Sequence, residues 1–117
     1  MVIAGRRWGD KMQRLEEVKR ITAGLVADFA PEKVILFGSQ AKGTARESSD
    51  IDLCVVVDTD KRRETLARMY LSIDSEIPVD LILYTPAQWR DNLAIEGSFA
   101  CLIKEKGVVL YERFPAL

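Results

Sequence analysis

Asp50 and Asp52 stand at the mouth of an apolar run in the stretch FGSQAKGTARESSDIDLCVVV. A carboxylate drawn into a buried strand is costly to desolvate unless a cation or strong donors compensate it. Strand alternation puts Asp50, Asp52, Cys54 and Val56 on one face, with Ile51, Leu53, Val55 and Val57 on the other. Two acids therefore share one side of one strand end. A later run, PVDLILYT, carries its single acid, Asp80, near its start, and if the two strands lie side by side Asp80 joins the pair. Like charges about 4 Å apart repel by roughly 4 kcal/mol at an effective dielectric of about 20. Such a trio makes sense around cations, and oxygen-only ligation suits Mg2+ or Mn2+, which accept carboxylates, water and substrate phosphate. The chain has no histidine, so a histidine-based triad or histidine metal ligation is excluded within it.

Upstream, Gly38 and Ser39 close an apolar run and open SQAKGTA. If a helix starts there, its outward N–H groups and dipole favour an anion, and Gly38 lets phosphate oxygens approach the backbone. Lys42 and Arg46 are nearby cations able to meet the same phosphates. Each has a plainer use: Ser39 as a helix N-cap, Lys42 and Arg46 as solvated loop charges, Ser48 and Ser49 as turn formers. Metal on one side and an anion cradle on the other describe a site for a nucleoside triphosphate.

The elements that must hold these residues follow from periodicity. Met12, Leu15, Val18, Leu25, Val26 and Phe29 recur at helical spacing from Lys11 to Phe29, and Pro31 closes that helix. KVILF and the run from Ile51 to Val57 are strands by their branched apolar content. Leu66, Met69, Tyr70 and Ile73 mark one face of a helix between Asp60 and Asp74, with Asp60 as its N-cap. PVDLILYT is a third strand, opened by Pro78 where a missing N–H does least harm. Thr85 followed by Pro86 starts a helix to about Ile95. A short helix follows Ser98 through Ile103, and GVVLYER reads as an edge strand. Trp8, Trp89 and Tyr70 are most simply packing residues.

This order indicates an α/β fold, a small mixed sheet with helices packed on it, in a single domain spanning 1–117. The 117 residues include 48% hydrophobic and 30% charged side chains with a formal charge of -1, which argues against a broad electrostatic nucleic-acid footprint, so no direct nucleic-acid binding is expected. No stretch approaches a membrane span and the start lacks a signal-peptide core, so a cytoplasmic location without membrane attachment is expected. Cys54 and Cys101 have no neighbouring Cys or His and read as core residues.

Gly38-Ser39, ten intervening residues, then Asp50-Ile51-Asp52 resembles the signature of the DNA polymerase beta-like nucleotidyltransferase superfamily. The fuller string GSQAKGTARESSDIDLCVV, with VDLILYT and EKGVVLYER downstream, resembles its minimal nucleotidyltransferase (MNT) branch over nearly the whole chain. The resemblance implies the polymerase beta-like nucleotidyltransferase fold, with Ser39 on triphosphate oxygens, Asp50 and Asp52 on two divalent metals, and Asp80 completing the catalytic metal site. It also implies transfer of AMP from ATP, or of another nucleotide, to an acceptor hydroxyl. MNT chains of this size resemble the antitoxins of HEPN/MNT toxin-antitoxin pairs, which implies a HEPN-type RNase as partner and a tyrosine as acceptor. Transfer to a small molecule of the aminoglycoside type, or a nucleotide-binding antitoxin acting by contact alone, are the alternatives.

Overall fold

In a computed structural model the described residues are 2–38 and 50–114, with side chains described from residue 14 onward. The elements run α1 (Val2–Phe29), β1 (Lys33–Phe37), β2 (Ile51–Val56), α2 (Arg62–Ser72), β3 (Val79–Tyr84), α3 (Pro86–Leu93), α4 (Phe99–Lys106) and β4 (Val108–Glu112). The four strands form one mixed sheet in the order β3-β2-β1-β4. β1 pairs antiparallel with the next strand, β2, and with the distant β4. β2 and β3 pair in parallel, which requires a crossover, and α2 supplies it.

The expected division of β2 between two faces is what the sheet shows. Ile51, Leu53, Val55 and Val57 pack with Leu81 and Leu83 against Val18, Ile21 and Leu25 of α1 and Met69 of α2. On the reverse face Cys54 and Val56 join Ile35 beneath Trp89 of α3 and Ala100 and Ile103 of α4. A strand buried on both sides reads as a continuous apolar run, which is why LCVVV lacks polar alternation. Trp89 is a core residue on this second face, tilted against Tyr84 with ring centroids 5.4 Å apart.

Local signals explain most ends. Ala30 takes φ 47° after the last turn of α1, its N–H returns to the Val26 carbonyl at 3.1 Å, and Pro31 cannot continue the helix. Thr85 caps α3 in a capping box: its hydroxyl accepts from the Gln88 N–H while the Gln88 side chain accepts from the Thr85 N–H. Ser98 caps α4 by accepting from the Cys101 N–H at 3.1 Å. Thr22, buried in α1, satisfies its hydroxyl on the Val18 carbonyl at 2.8 Å.

Several expectations need correction. Asp60 does not cap α2: the N-cap is Lys61, without a side-chain bond. The Thr59 hydroxyl takes the Lys61 N–H at 3.0 Å and meets the Thr65 hydroxyl at 2.8 Å, so the turn before the helix is organised one residue earlier. Leu15 is 51% exposed rather than packed, and lines an open apolar trough of about 800 Å³ between α1 and β4. The first helix begins at Val2 instead of Lys11, α3 stops at Leu93, and α4 continues to Lys106. The expected helix after Gly38 and the side chains of Trp8 and Met12 lie outside the described residues. No described helix is long and apolar enough to cross a membrane.

Candidate functional site

The starts of β2 and β3 lie side by side. The Ile51 N–H donates to the Pro78 carbonyl at 2.9 Å, and from there Ile51 faces Val79 and Asp52 faces Asp80 in parallel register. Paired residues project from the same side of a sheet, so the two carboxylates share the face that carries Cys54 and Val56. Asp50 precedes β2 at the same end, and its carboxyl is hydrogen-bonded to that of Asp80. The structure therefore gathers the three acids that the sequence singled out.

Their electrostatics bear the mark of crowding. Partial burial, then the Asp80 charge, then the Asp50 charge hold Asp52 above the ordinary carboxylate value of 3.8. Asp80 is also raised, by lost solvation first and then by its hydrogen bond to Asp50 and the Asp50 charge. In each case the neighbourhood disfavours the ionised form, as expected where like charges meet.

Gly38 belongs to the same site for a reason that composition alone does not give. It follows Phe37 of β1, which pairs with Asp52 of β2, and it adopts φ +73°. A Cβ at this position would land on Asp52 Oδ2 and lie 3.2 Å from its Cγ. Glycine is thus required twice over, by the left-handed backbone and by the Asp52 carboxylate occupying the space of a side chain. Ser39, Lys42 and Arg46 lie outside the described residues.

Among the described residues, no group of three or more His, Cys, Asp or Glu side chains is arranged to hold a metal ion. The donor chemistry nonetheless fits a hard divalent cation, since Asp50, Asp52 and Asp80 offer only oxygens and repel one another without one. Mg2+ is commonly held in this open manner, by one or two carboxylates together with water and substrate phosphate.

Two contributions escaped the sequence reading. Tyr70 of α2 is no mere packing residue: its hydroxyl accepts the Leu81 N–H at 2.8 Å, fastening the outer edge of β3 next to Asp80. Phe99, the first residue of α4, meets Phe37 edge to face with centroids 5.7 Å apart, beside Asp52. Alternation does place Phe37 with Ile35 on one face, but the approach of α4 has no local signal.

Residues 15–104 match the family model for the nucleotidyltransferase domain. The chain belongs to that family. A candidate nucleotidyltransferase from Sulfolobus solfataricus has a similar structure, with TM-score 0.60, 25% identity, and coverage of 93% of this chain and 92% of that one. A toxin-antitoxin structure with AMP-PNP is a more distant likeness, with TM-score 0.48, 25% identity, and coverage of 80% of this chain and 73% of the other. Comparison with curated proteins gave no match. The span matched in this nucleotidyltransferase contains Gly38 and all three acids, and it stops short of β4.

Proposed function

We propose that this nucleotidyltransferase transfers AMP from ATP to a hydroxyl of a partner protein, with Mg2+ or Mn2+ held by Asp50, Asp52 and Asp80. The observation that carries the reading is the parallel register of Asp52 with Asp80, which collects the carboxylates at the sheet end that also bears Gly38. Ser39 and the amides after it hold the triphosphate, with Lys42 and Arg46 as further cations. The acceptor oxygen attacks the α-phosphorus in line, a phosphorus–oxygen bond forms, and the bond to the bridging oxygen breaks to release pyrophosphate. Two divalent ions, when bound, stabilise the negative charge on the attacking and leaving oxygens. Asp80 accepts the proton of the attacking hydroxyl, for which its exposed position on the edge strand leaves access. An acceptor on another protein is favoured because docking supplies the alignment that an isolated hydroxyl lacks.

The resemblance to MNT antitoxins makes a HEPN-type RNase the first partner to try and its tyrosine the first acceptor. The protein is incubated with labelled ATP, GTP, CTP or UTP and Mg2+, with and without the product of the adjacent reading frame, and the mixture is weighed by intact-mass spectrometry. The expected result is a partner heavier by one or more AMP units, lost with Asp52→Asn. An unmodified partner in a stable complex favours inhibition by contact alone, and modification of a small hydroxylated compound without any partner favours the small-molecule transferase.

A further inference from the structure

The flank of the acid cluster toward β1 and α4 is aromatic. Phe37 faces Asp52 in antiparallel register, so the two side chains rise as neighbours, with Cβ atoms about 5 Å apart. The Phe99 ring stands at 88° to the Phe37 ring and remains 47% exposed. Its helix is anchored on both sides of this contact: Ser98 caps the first turn, and Ala100 and Ile103 are buried in the second core. A single exposed phenylalanine needs no explanation. Here, however, the ring packs edge to face on a second ring that itself adjoins a proposed metal-binding carboxylate, and it keeps a surface open to solvent.

We propose that Phe99 is the platform on which the nucleobase of the bound nucleoside triphosphate stacks, with Phe37 fixing the angle of that platform. This assignment rests on the acid cluster being a nucleotide site. The phosphates lie at Gly38 and the carboxylates, and the base, one sugar away, reaches toward the start of α4. Stacking uses the π-face that every base presents and is tolerant of base identity. Phe99 therefore adds affinity for the base without strongly choosing among bases.

The test compares a non-hydrolysable ATP analogue with inorganic tripolyphosphate, both with Mg2+, by calorimetric titration of the full chain. Phe99→Leu keeps an apolar contact on Phe37 while removing the π-face. It should weaken the analogue about tenfold, equivalent to about 1.4 kcal/mol, which lies within the range of base–aromatic stacking. Tripolyphosphate affinity should change by less than about twofold, because it has no base to stack. Phe99→Trp should bind the analogue at least as tightly as wild type, and its fluorescence should be quenched by the analogue but not by tripolyphosphate. Leu102→Ala, exposed on the next turn, should bind both ligands normally. Undiminished analogue binding by Phe99→Leu, or an equal loss of both ligands, overturns the stacking role while leaving the nucleotide reading intact. If wild type binds neither ligand, the nucleotide reading falls and this assignment with it.

Discussion

Asp52 and Asp80 hold protons more tightly in the folded metal-free protein than in the unfolded chain, because burial and neighbouring acids raise both above 3.8. The linkage has a definite sign: their stabilising contribution is complete below the ordinary carboxylate value and is lost as pH rises through the raised values. The metal-free protein should therefore lose melting temperature as pH rises from about 4 toward neutrality, more steeply than Asp52→Asn/Asp80→Asn. Mg2+ at neutral pH should raise the melting temperature of wild type and leave the double variant unmoved. Equal pH slopes for both proteins would argue against the crowding. At Gly38 the expected cost is steric. Gly38→Ala should destabilise by about 1 to 3 kcal/mol through its collision with the Asp52 carboxylate. In an Asp52→Ala background the same change should cost less, leaving mainly the backbone strain of positive φ. Denaturant titration of the four proteins in this cycle measures the coupling, and strict additivity would mean that the two residues do not meet.

At the scale of elements, β3 is one of the two edge strands of the sheet, yet it must hold Asp80 in register with Asp52. Its inner side is fixed by β2, and α2 fastens part of its outer side: the Tyr70 hydroxyl takes the Leu81 N–H, while Arg62 donates to the Leu83 carbonyl at 3.0 Å. Both come from the crossover helix, so the segment that makes parallel pairing possible also blunts the edge that pairing creates. Tyr70→Phe removes one of these ties. It should cost about 0.5 to 1.5 kcal/mol, speed hydrogen exchange at the Leu81 amide, and reduce nucleotidyl transfer more than nucleotide binding, because Asp80 is adjacent. Unchanged exchange at Leu81 would show that the tie does not hold in solution.

Across the whole molecule, β1 and β2 both contribute to the two cores, and Cys54 lies at the centre of β2 with no exposure. Burial pushes its thiol up to about 12, and since the thiolate is the reactive form, Cys54 should resist alkylation in the native protein. Cys101 is only half-buried, with its thiol directed to the Leu93 and Ile95 carbonyls at 3.3 Å each. In graded urea, mass spectrometry should show Cys101 modified first and Cys54 modified only at the rate of global unfolding. Modification of Cys54 in native buffer at the rate of Cys101 would mean that the two cores do not unfold together.

What can be read along the chain is local. Period-2 alternation assigned Asp52 and Cys54 to one face of β2; Thr85-Pro86 and Ser98 announced two helix starts; Gly38-Ser39 and Asp50-Ile51-Asp52 were legible as a motif. The strand face and the helix starts are legible because each depends on backbone geometry within a few residues, whereas the motif is legible by the order and spacing of its residues. The errors were of another kind. Asp60 was a reasonable cap until Thr59 took the same turn, and Leu15 fitted the apolar stripe of α1 but lines the open trough beside β4. Packing between distant segments sets β3 parallel to β2 with Asp80 opposite Asp52, puts the Asp52 carboxylate in the space beside Gly38, and brings Phe99 to Phe37. Each is a contact between segments distant along the chain, fixed by how helices and strands share two cores rather than by the preferences of the residues that meet.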